Sequence, residues 1–153
     1  MTDVKTTQGR TVSHCHVPNA PCTRELNEAE IAEAREIAAE INQYANEISP
    51  PTAEFNCHGF AVADSHGWFN HPRRIFEDDF DRMPLESARR NDIVVYMNGD
   101  TVMHSARITQ MEDGQIHRLR SKWGNLAVLS HSLKGVPEVY GSPAHILRRR
   151  EVD

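Results

Sequence analysis

The sequence predicts an α+β domain with N-terminal helices packed on one side of an antiparallel β-sheet. Three observations carry this prediction. A long amphipathic segment lies between Leu26 and Ile48, short segments rich in branched residues follow Asn91, and the separators between those segments have the composition of hairpin turns. Helices first and strands later is the order of an α+β domain.

Residues 1–25 are polar, are interrupted by Pro18 and Pro21, and show neither helical nor strand period. They read as an extended arm or irregular cap ahead of a single domain over residues 26–153. Asn27 followed by Glu30 matches a capping box, in which the asparagine side chain accepts the Glu30 amide and the glutamate reaches back to the cap amide. Ile31, Ala34, Ile37, Ala38, Ile41, Tyr44, Ala45 and Ile48 then recur every three or four positions. That spacing predicts a helix with one stripe on a core, running until Ser49-Pro50-Pro51 stops it. A second helix is expected from Asn56 to Ala63, ended by Ser65-His66-Gly67. The connector WFNHPRRIFEDDFDRM is too broken for more than a short helical turn. DIVVYM, TVMHSARIT and QIHRLRS have strand character and are separated by NGD and MEDG, while AVLSHS and HILRR complete the sheet. Tyr140-Gly141-Ser142-Pro143 reads as a turn before the last strand.

With 17 basic and 22 acidic residues in 153, the formal net charge is −5. This balance offers no general attraction to nucleic acid or to an anionic membrane. Arg148-Arg149-Arg150, the dense basic run, reads as a solvated terminus. The first residues lack the apolar core of a cleaved signal, and nowhere is there an uncharged apolar run long enough to span a bilayer. The expected location is therefore cytoplasmic, or exported without a cleaved signal by a specialised secretion system. Cys15, Cys22 and Cys57 cannot all pair with one another, so a disulfide framework is not expected and at least one thiol is free. No cofactor is implied.

The residues that suggest chemistry begin with Cys57, placed between Asn56 and His58 at the start of the second expected helix. A thiol attacks as thiolate, and helix-terminal amides or a histidine within hydrogen-bonding reach favour that form. Asn56 and nearby backbone amides are candidate donors to an oxyanion. His104 is the candidate base, on a strand that places Val102, His104 and Ala106 on one side and Met103, Ser105 and Arg107 on the other. The next strand supplies a third, orienting group: if Leu119 faces the helices, His117 and Ser121 share its face, with Asn125 and His131 close behind. His58, Trp68, Trp123 and His131 are candidate substrate contacts, and His66 and His71 lie in the connector beside Trp68. His14, Cys15, His16 and Cys22 form a competing cluster of zinc-ligand types, without the spacing usual for a structural site.

A cysteine opening a helix, then a histidine on an antiparallel strand 47 residues later, then a polar residue on the next strand, resembles the permuted NlpC/P60-like branch of the papain-like cysteine peptidase superfamily. Cys57 in NCHGFAVA and His104 in MHSARI are the matching residues. The combination of NC, HSAR, SKWG, a following histidine, VPEVYG and ILRR is similar to a small bacterial subgroup of papain-like proteins. The chain departs from the branch in the residues flanking Cys57, and its third residue fits either His117 or Ser121. The resemblance implies a cysteine-dependent amide hydrolase, whether peptidase, amidase or deamidase, working through a thioester on a peptide or protein amide, as in bacterial effector or toxin-type enzymes. It implies no metal and no nucleic-acid partner. The alternatives are a catalytically inactive papain-like binding module and a zinc-stabilised protein that uses the N-terminal His/Cys cluster.

Overall fold

A computed structural model of the chain describes residues 4–6, 8, 11–12, 26–51, 56–62, 73–123 and 126–150. In chain order the elements are β1 Val4–Lys5, β2 Thr11–Val12, α1 Glu28–Ile41, β3 Asn46–Ser49, α2 Cys57–Val62, α3 Arg73–Asp79, β4 Phe80–Met83, β5 Ile93–Asn98, β6 Thr101–Glu112, β7 Gln115–Lys122, β8 Val128–His131 and β9 Ser142–Arg149. Short 3-10 turns lie at Leu85–Ser87 and Glu138–Tyr140. Strands β3 to β9 form one seven-stranded antiparallel sheet, ordered β3-β8-β7-β6-β5-β9-β4, while β1 and β2 pair separately. The α+β class and the strands expected after Asn91 are therefore present. Among the described residues no helix is long and apolar enough to cross a membrane.

The β6–β7 turn follows from its residues: Asp113 and Gly114 both take positive φ, 51° and 76°, the pattern of a two-residue type I′ hairpin. Alternation along β5 then defines the two faces of the sheet. Ile93 and Val95 pack with Leu147 against Ala61 of α2 and Ile75 of α3. Val94 and Tyr96 point the other way, packing with Ala106, Ile108, Leu119 and Ile146. Leu129, opposite Ser121 in the ladder, lies on this second face and packs with Trp123 and Ala38 of α1. The helices are thus divided between the two faces, rather than gathered on one side as the sequence suggests.

The capping box of α1 forms as expected, with Glu30 N–H donating to Asn27 Oδ1 at 2.8 Å and Asn27 N–H to Glu30 Oε1 at 3.1 Å. The helix nevertheless ends at Ile41, not at Ile48. Asn42 turns extended, accepts the Tyr44 amide at 2.9 Å and donates from Nδ2 to the Gly135 carbonyl at 3.0 Å, while Asn46–Ser49 peels away to pair with β8. Ala34 and Ala38 are the buried residues of α1, and Ile37, Ile41, Tyr44 and Ile48 stay exposed. Asn27→Ala removes the side-chain acceptor of the Glu30 amide and leaves only the backbone bond to Glu30 Oε1. It should lower stability by about 1 kcal/mol in urea unfolding, and an unchanged midpoint would show that the box contributes nothing.

The basic run near the C-terminus is not a solvated tail. Arg148 forks onto the buried Asp92 carboxylate at 2.8 and 3.1 Å, and Arg150 meets Asp81 at 2.8 Å. Arg149 lies over the Phe80 ring, 4.8 Å from its centroid. These contacts tie β9 to β4 and to the loop before β5, so the arginines are engaged by the fold. The N-terminal arm also touches the body, through a hydrogen bond from Thr6 Oγ1 to Asp78 Oδ2.

Candidate functional site

Helix α2 begins at Cys57. The Asn56 carbonyl accepts the Phe60 amide at 2.9 Å, which makes Asn56 the capping residue, and Asn56, Cys57 and His58 are all buried. The helix rests on the Val95 face, held by side chains of β6. Ser105 Oγ donates to the Cys57 carbonyl at 3.4 Å and lies 2.8 Å from His58 Nδ1, while Arg107 Nη2 donates to the Ala61 carbonyl at 3.1 Å. With the hydroxyl proton on the carbonyl, His58 is the donor to Ser105.

Cys57 lies where two strands part. The β6–β7 ladder runs from Glu112 opposite Gln115 to Arg107 opposite Arg120, and beyond it β6 stays with β5 while β7 stays with β8. The backbone amides of Ser105, His58 and Cys57 itself are directed at the sulfur. Burial still dominates and pushes the thiol up to about 11, against the pull of those amides and of the Lys122 charge. The resting sulfur is a protonated thiol, not the preformed thiolate expected at a helix start.

His104 lies on the other face of β6. The β5–β6 register passes from Tyr96 opposite His104 to Met97 opposite Val102, leaving Met103 as an extra residue. Val102 consequently packs with the Val95 cluster and His104 turns toward Tyr96, so the two do not share a side as simple alternation predicts. The imidazole is completely buried and stacks on Tyr140, with centroids 4.1 Å apart and planes 9° from parallel. Neither ring nitrogen has a hydrogen-bond partner. Burial first, then the charges of His131 and His58, hold its pKa well below the usual histidine range. No hydrogen bond joins His104 to Cys57, although both feel shared neighbours: Tyr140, stacked on His104, has its hydroxyl raised by burial and then by the charge of Cys57.

The expected third residues are placed elsewhere. Ser121 Oγ lies 2.6 Å from His131 Nε2 and accepts Trp123 Nε1–H at 3.0 Å, while His131 Nδ1–H donates to the Ser132 carbonyl at 2.7 Å. Ser121 is therefore committed to His131 and does not orient His104. Leu119 and Ser121 lie on the face that carries α1, which is also the face of His104 but not that of α2 and Cys57. His117 is half exposed near the β6–β7 turn, its Nδ1 3.2 Å from Glu112 Oε2, and does not join the site. His58, Trp123 and His131 are buried, so none offers a surface contact to substrate; His58 meets Phe76 edge-on instead. Trp68, His66, His71, Asn125 and the His14, Cys15, His16, Cys22 cluster lie outside the described residues. Among the described residues no group of three or more His, Cys, Asp or Glu could hold a metal ion.

Sequence reasoning missed Lys122. It alternates with Ser121 and Trp123 along β7, which turns it to the α2 side, and it is completely buried. Burial lowers its amine to about 7, opposed by the charge of Cys57. Strand alternation in SKW carries the direction of this side chain, but lysine is almost never fully buried, so nothing in the sequence marks it as interior.

A family model described as a domain of unknown function (DUF7689) matches residues 46–148, from β3 into β9 and across all the residues of this site. No curated protein and no solved structure matches the chain.

Proposed function

Because the chain belongs to the family described as a domain of unknown function (DUF7689), a description that names no chemistry, we propose from the site alone that it is a cysteine-dependent amide hydrolase of papain-like, NlpC/P60-like type. One observation carries the reading. Cys57 opens α2 with the amides of Ser105 and His58 directed at its sulfur, and the residue before Ser105 on β6, His104, is completely buried with neither ring nitrogen hydrogen-bonded. Buried polar atoms are almost always hydrogen-bonded, so a buried pair of ring nitrogens without partners calls for an explanation, and a catalytic role is one.

In this reading Cys57 loses its proton to a neighbouring base as it attacks the amide carbon. The carbonyl electron pair moves to oxygen, where backbone amides around Asn56 and Cys57 receive it. On collapse the C–N bond breaks and the proton taken from the thiol passes to the departing amine, leaving a thioester; His104 then takes a proton from the water that hydrolyses it and returns it to the departing thiolate. The raised thiol means that proton transfer accompanies attack rather than preceding it.

The test uses a p-nitrophenyl ester of an N-blocked amino acid and reads intact and peptide mass. An acyl group on Cys57 is expected in the parent, none in Cys57→Ala, and slower turnover by on the order of 10²-fold in His104→Ala. A parent that acquires no acyl group at Cys57 would move the assignment to the papain-like binding module, which the buried, protonated thiol also suits.

A further inference from the structure

We infer that Lys122 is the base that takes the proton of Cys57 as the sulfur attacks. The inference rests on the thiol-dependent reading and adds the residue that starts it. Lys122 and Cys57 approach the parting of β6 and β7 from its two sides, one on the last turn of the β7 ladder with β8 and the other at the start of the helix that covers it. Both are buried, and each charge acts on the other. Near the parting the titratable and charged groups on the packed elements are His58 on α2, His104 and Arg107 on β6, Arg118 and the exposed Arg120 on β7, His131 on β8, and Tyr140, with Arg118 engaged by Ser130. His58 Nδ1 is engaged by Ser105, Arg107 reaches to the far end of α2, and His104 is on the opposite face. Lys122 is the buried basic side chain turned toward the Cys57 side from the neighbouring strand, whereas Arg120 on the same side is exposed.

The step balances simply. The S–H bond of Cys57 breaks, its electron pair stays on sulfur, and the proton forms a fourth bond on the neutral Nζ of Lys122. As the proton moves the sulfur attacks the amide carbon, and the ammonium then gives that proton to the departing amine, so that Lys122 is neutral again once the thioester has formed. Burial keeps a fraction of Lys122 as free amine near neutral pH, the condition for acting as a base there. His104 is left for the water that hydrolyses the thioester.

The chain contains three lysines, Lys5, Lys122 and Lys134, so a protein labelled with 13C at lysine Cε gives few enough signals to follow each one. Lys122 should titrate near neutral pH in the parent, and its midpoint should move in Cys57→Ala. In Lys122→Met, acylation of Cys57 by the same p-nitrophenyl ester should slow by on the order of 10²-fold, with its pH profile displaced upward. Either a Lys122 signal that titrates like the two other lysines or a Lys122→Met protein acylated at the parental rate overturns the inference while leaving Cys57 and His104 standing. No acylation of the parent at all overturns the hydrolase reading and this inference with it. Should Lys122→Met fail to fold, the titration in the parent decides alone.

Discussion

Acidification from pH 6.5 to 4 is expected to remove on the order of 6 kcal/mol of folding stability, enough to unfold much or all of a domain of this size. Two buried histidines carry most of this. Burial lowers His58 and His131 from 6.5 to about 4, because a charged ring at either position would be cut off from water. The unfolded chain takes up these protons as pH falls through 6.5, whereas the folded chain resists until about 4. Their stabilisation is therefore fully present above pH 6.5 and is lost as pH falls toward the folded values, about 3 kcal/mol for each group. His104 adds to the loss in the same direction, because burial first, and then the charges of His131 and His58, depress it in the folded chain. Urea melts at half-unit intervals should show the midpoint falling steeply below pH 6. A midpoint that stays level from pH 6.5 to 4.5 would mean that the histidines are not held neutral.

The same histidines show why the site was only half legible. Cys57 at a helix start, His104 on a strand and the antiparallel pairings after Asn91 follow from local pattern, because each is set by a few adjacent residues. The extra residue in β6 is not of that kind. VMHSARI alternates in the sequence, and only its register against β5 shows that Met103 is surplus and that His104 faces away from α2. Ser121 and Lys122 are exchanged in importance for a related reason: they point to opposite faces, and which face carries α2 depends on packing between segments far apart in the chain. Asn46–Ser49 was hidden by spacing that continues the α1 period, although its residues pair with β8. Arg148–Arg150 looks like a charged end until Asp81 and Asp92, more than fifty residues earlier, are brought beside it.

Gly141→Ala is expected to cost on the order of 4 kcal/mol or more, far beyond the usual range for a single methyl group at a turn. Gly141 has φ +80°, and a Cβ added there would stand 2.1 Å from the Met97 carbonyl oxygen and 2.6 Å from its carbon. Both are backbone atoms of β5, paired at that point with Ser142 of β9, so no side-chain rotation relieves the clash. The strand must separate from its neighbour or the preceding turn must swing out. Gly141 directly follows Tyr140, which stacks on His104, so the displaced turn takes with it the ring that covers the imidazole. Gly114→Ala is the control: it has φ +76° but open space around its Cβ position, and should cost only the ~1–2 kcal/mol of a left-handed backbone. Thermal or urea unfolding of the two variants separates strain from collision. If Gly141→Ala loses no more than Gly114→Ala, the turn does not press on β5 and Tyr140 is not fixed over His104 by it. If its loss is several times larger, the turn at Glu138–Tyr140 is a part of the site held in place by backbone contact alone, and any folded fraction of Gly141→Ala should turn over the ester more slowly while Gly114→Ala matches the parent.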